Sequence, residues 1–92
     1  SEVETIGQLF VKATKMTAAA DQELTWQIEE AVRLKNLILA AKNAGIAPES
    51  YANLTADYRL AVKAYNAAVT MKLEWAPIAT ELYNIMKRLG LL

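Results

Sequence analysis

The side chains that could do chemistry in this sequence are few. Histidine and cysteine are both absent. That removes the serine–histidine pair, the thiolate nucleophile and the imidazole metal ligand. It also removes the disulfide and the usual cysteine–histidine zinc site. The nearest approach to a carboxylate pair is Glu29 and Glu30. Adjacent residues of a helix point about 100° apart, so these two do not converge on one atom. The Glu-x-x-His pattern of di-iron bundles is missing, and so is a glycine-rich phosphate loop. The composition therefore predicts a non-enzymatic protein with no metal, no cofactor and no small-molecule substrate. Glu29 and Glu30 read as a solvated helix face, with Arg33 within reach of one turn.

Two other groups of residues could bind rather than react. Lys12, Lys15 and Lys72 gather near one level if the chain folds back on itself, and would touch nucleic acid if many copies lined a channel. Tyr51, Tyr58 and Tyr65 recur every seven residues, as do Thr55, Val62 and Val69. A seven-residue period keeps one stripe towards a partner helix. Tyrosine is enriched in protein interfaces and can also stack on single-stranded bases. The charge argues against a general polyanion binder, because ten basic and ten acidic residues cancel and nucleic-acid domains carry a basic excess. Asn53-Leu54-Thr55 matches the glycosylation triplet; it falls in a predicted helix and reads as a chance match.

The elements that must position these residues are helices. Between Gly7 and Gly45 there is neither proline nor glycine, and strong helix formers dominate. The pattern predicts a helix from about Val3 to Asn43, with Thr17 or Asp21 able to cap a restart. Gly45 suits the left-handed position after a helix end, with Ile46 folding back on Ala41. Pro48 and Glu49 suit the first turn of the next helix, which then runs to about Leu89 and is closed by Gly90. Pro77 interrupts its hydrogen-bond ladder and predicts a kink. The 92 residues thus form a single all-α domain, residues 1–92, folded as an antiparallel hairpin of two long helices with its turn near Gly45–Pro48. The alternative is a four-helix bundle, short-long-long-short, in which the chain breaks at both Pro77 and Thr17–Asp21. Residue i lies opposite roughly 92 minus i in the hairpin.

Such a hairpin has more apolar surface than it can bury. Hydrophobic residues make up 54% of the chain, whereas a two-helix hairpin covers one stripe per helix. Leu37, Ile38 and Leu39 near the turn, Leu89, Leu91 and Leu92 at the far end, and Trp26 and Trp75 between them call for cover from outside. Ala61, Ala64 and Ala68 read as a seam that lets backbones approach. These residues and the tyrosine stripe predict self-association. The function expected is that of a structural subunit, the building block of a filament or a virion-type coat. Its partners are copies of itself, with packaged nucleic acid if it is a coat. The alternative is a small binding module (adaptor, immunity-type inhibitor or regulator) that works as monomer or dimer and takes a partner helix beside Trp26 or the tyrosines.

From Pro48 to about Val69 the layout loosely resembles the helical hairpins of secretion-needle subunits: a proline-bearing turn followed by a second arm carrying tyrosine and asparagine. This is a likeness of layout, with no shared motif, and Lys87 to Leu92 add nothing to it. The acidic start at Ser1-Glu2-Val3-Glu4 lacks the basic region of a signal peptide. The longest wholly apolar run, Leu37 to Ala41, is far short of the ~20 residues that span a bilayer.

Overall fold

A computed structural model describes residues 2–92. Helix α1 runs over Glu2–Asn43 and helix α2 over Ala52–Arg88, with a 3-10 turn at Pro48–Tyr51 between them. The hairpin measures 64 × 16 × 13 Å. The four-helix alternative is not the arrangement found, because α1 passes through Thr17–Asp21 without a break. Thr17 does not cap a new helix there. Its hydroxyl donates to the Ala13 carbonyl at 2.8 Å, one turn back. Bonding of this kind lets a threonine stay inside a helix.

Both helices stop in the same way. Gly45 and Gly90 have φ of 75° and 73°, a conformation that costs glycine nothing. After α1, the Gly45 amide donates to Lys42 and the Ile46 amide to Ala41; after α2, Gly90 donates to Lys87 and Leu91 to Met86. Each end thus satisfies two carbonyls that the helix leaves open. Pro48 begins the 3-10 turn rather than α2 itself, so α2 opens four residues later than the sequence suggests. Pro77 stays inside α2 and kinks it. The proline is exposed, so the backbone group it leaves unpaired lies on the side of water.

The two helices meet along a stripe spaced alternately by three and four residues. On α1 it runs Ile6, Phe10, Ala13, Thr17, Ala20, Leu24, Gln27, Ala31, Leu34, Ile38 and Ala41, none of them exposed. On the other arm it runs from Tyr51 at the end of the 3-10 turn through Leu54, Tyr58, Ala61, Tyr65, Ala68, Lys72, Trp75, Ala79, Leu82 and Met86 of α2, where Lys72 alone is exposed. This is the spacing of knobs-into-holes packing. The pairs Phe10–Tyr83 and Asp21–Lys72 fix the register, since the numbers of each add to 93.

What the seam buries is small. Among the described residues the buried side chains are Ala13, Ala20, Ala31, Leu34, Ala61 and Ala68. Five of the six are alanine, so the two backbones come close and the core is thin. The radius of gyration is 19.9 Å, against about 12 Å for a globular domain of this length. The exposed surface is 6616 Å², against about 5,300 Å² for a compact monomer of this mass.

Candidate association surface

On either side of the seam the hairpin presents a long lateral face. The first carries Ile28, Val32 and Lys35 from α1 beside Tyr58, Val62 and Tyr65 from α2. With Ala31 these residues line a groove of about 190 Å³. The second carries Ala19 and Glu23 beside Ala64, Ala67 and Met71, which with Ala68 line a shallower trough. Helical periodicity extends each face along the whole rod.

Both faces are rich in uncovered apolar side chains. Among the described residues, sixteen large hydrophobic side chains are exposed. On the first face these include Val11, Ile28, Val32, Leu39 and Leu73; on the second they include Leu9, Trp26, Leu37, Leu60 and Ile78. Trp26 and Leu60 on the second face retain 61% and 65% of their surface and Leu73 on the first retains 70%, more than scattered surface residues explain when such side chains recur along each face.

The residues singled out from sequence fall into three places. Tyr51, Tyr58 and Tyr65 are half-buried on the seam between α1 and α2, and Ala61 and Ala68 are buried in the same seam. Ala64 is half-buried at the edge of the second face. Near the turn, Ile38 belongs to the seam while Leu37 and Leu39 project from opposite faces. Trp26 is exposed on the second face, whereas Trp75 is half-buried on the seam. Leu89, Leu91 and Leu92 are exposed at the open end. Ile28, Val32, Leu60 and Leu73 were not singled out. Tracing the heptad from Tyr51 through Leu54, Tyr58 and Ala61 leaves Leu60 and Leu73 outside the stripe, and that was the signal available for those two.

The three lysines are differently engaged. Lys72 Nζ lies 2.7 Å from Asp21 Oδ1. Lys12 Nζ lies 5.4 Å from the centre of the Trp75 ring, within the range of cation–π attraction. Lys15 is exposed, and the register sets it level with Ile78, six residues from the level of Lys72. On the second face, Arg33 Nε donates to Glu30 Oε2 at 3.0 Å, and its Nη2 donates to the other carboxylate oxygen. The hydrogen bond from Arg33 holds the Glu30 carboxyl below its ordinary value, and the reciprocal bond raises Arg33. Glu29 takes no part in the pair.

Among the described residues no polar or charged side chain is buried, and no three acidic side chains come together as a metal site. No helix among them is long and apolar enough to cross a membrane. No protein-family model matches the chain, and neither a curated protein nor a solved structure matches it.

Proposed function

We propose that the chain is a self-assembling structural subunit, a rod that builds a filament or a coat by packing its lateral faces against further copies. The observation that carries this reading is the distribution of exposed apolar side chains. They flank the seam on both sides and run its length, while the seam itself buries little more than alanine. Fully burying a large apolar side chain gains about 1.5–3 kcal/mol. Covering the remaining half of several such side chains therefore adds several kcal/mol to what the thin core supplies. Neutral charge supports the same reading, since copies of a neutral chain do not repel one another.

The test is the mass in solution by light scattering over a concentration series, with the same samples viewed by negative-stain electron microscopy. Filaments, tubes or large rings that grow with concentration are expected. A sharp monomer or dimer at every concentration sinks the proposal and favours the binding module, whose partner would occupy the groove beside Tyr58 and Tyr65. In a coat, packaged nucleic acid would appear as ultraviolet absorbance co-purifying with the assembled fraction.

A further inference from the structure

The chain is neutral as a whole, but its charges are sorted between the two faces. The first face, with the groove, holds Lys35, Lys42, Arg59 and Lys87, and Lys72 reaches it from the seam; its acids are Glu4 and Asp21. The second face, with the alanine trough, holds Glu2, Glu23, Glu30, Asp57, Glu74 and Glu81. Its bases are Lys12, Arg33 and Arg88. One face thus has three more bases than acids, and the other has three more acids than bases. The remaining charges, Lys15, Glu29, Glu49 and Lys63, lie on the backs of the helices or in the turn and cancel.

The apolar relief follows the same division. Lys35 lines the groove on the basic face, and Arg59 stands one position beyond Tyr58 at its edge. On the acidic face at the same height stand the exposed Leu60 and Trp26, flanked by Asp57 and Glu23. Like faces brought together would oppose like charges, which costs several kcal/mol in a close contact. Unlike faces match in sign, and the exposed Leu60 and Trp26 of one are apolar partners for the groove of the other.

Resting on the reading that the chain assembles with itself, we infer that copies stack basic face to acidic face. The partner of each face is then the opposite face of a second copy. A contact between two different surfaces does not use itself up: every added copy offers a fresh face, and the array stays open unless its rotation closes a ring. A two-fold dimer, in which one face meets its own image, would stop at two.

Two charge-reversed variants test this. The first carries Lys35→Glu and Arg59→Glu, so both faces are acidic; the second carries Glu23→Lys and Asp57→Lys, so both are basic. Circular dichroism checks that each stays helical, and Gln replacements at the same positions substitute for any variant that does not. Each variant alone is expected to need more than about tenfold the parent's concentration to assemble. An equimolar mixture is expected to recover, because each contact then again joins unlike charges. Assembly of either variant at the parent's concentration, or a mixture no better than its components, overturns face-to-face stacking and leaves self-assembly standing. A parent that forms only a closed dimer also overturns it. A parent that stays monomeric removes the assembly reading and this inference together.

Discussion

The half of the hairpin near the turn and the half near the open end share one heptad spacing but are held together differently. Near the turn, Ala31, Leu34 and Ala61 form a buried cluster with Leu54, Tyr58 and Val62 packed around it. Among the described residues Leu34 is the largest side chain that is fully buried. Towards the open end the buried residues are Ala13 and Ala20, and larger, partly exposed groups close the seam. Phe10 meets Tyr83 at 6.3 Å between tilted rings, Lys12 covers Trp75, and Lys72 reaches Asp21. The comparison teaches that the turn half supplies stability while the distal half supplies register. A charged residue at a seam position lowers stability but specifies which alignment is correct. Sliding the helices by one heptad would keep most apolar contacts and lose the Asp21–Lys72 pair.

The sharpest way to break this contrast is Leu34→Ala. A cavity in the one well-filled layer is expected to cost about 2–3 kcal/mol, the lower part of the usual range because a thin core can collapse. Urea unfolding measures it, and a loss under about 1 kcal/mol would mean that the turn half is not the stable one. A smaller effect belongs to the distal pair. A double-mutant cycle with Asp21→Ala and Lys72→Ala is expected to give a coupling of about 0.2–1 kcal/mol at low salt, since both side chains are near half exposed. Strong salt should erase it, and a coupling that persists there would argue for a contact other than the ion pair.

The smallest effect is that of Glu30. Its carboxyl is lowered in the folded chain by Arg33, so the pair's contribution is present above the ordinary carboxylate range. It is lost as pH falls through the lowered folded value. A carbon-detected NMR titration should place the Glu30 midpoint below the ordinary value, and Arg33→Gln should bring it back up. An unchanged midpoint in that variant would show that Arg33 is not the cause.

Much of the architecture was legible because single residues carried it. Gly45 and Gly90 mark both helix ends through their backbone freedom, and the fold-back of Ile46 on Ala41 follows from the same motif. The register of about 92 minus i follows from placing the turn near Ile46. The continuity of α1 was less legible, because Thr17 has two uses for its hydroxyl, and only the folded backbone decides that it bonds to Ala13 rather than caps. Which apolar residues face inward was harder still. The seam includes Thr17, Gln27 and Lys72, whereas Val32, Leu60 and Leu73 lie outside it. With fifteen of the seventeen alanines spread along the two helices, hydrophobicity alone does not single out one stripe. The tyrosines stood out by their period, and that period proved to be that of the seam within the chain. The sorting of charge between faces is invisible until the seam is located, since each face draws its residues from both arms.

The thinness of the rod sets how material would be laid down in a stack. Helix layers pack about 10 Å apart, and the hairpin is only one helix layer thick, at 13 Å. Each copy of 10.2 kDa would thus advance a single-start stack by about 10 Å, a linear density on the order of 1 kDa per Å. Multiple starts would appear as whole-number multiples of that density, which makes the number of strands countable by weighing unstained filaments before any symmetry is known.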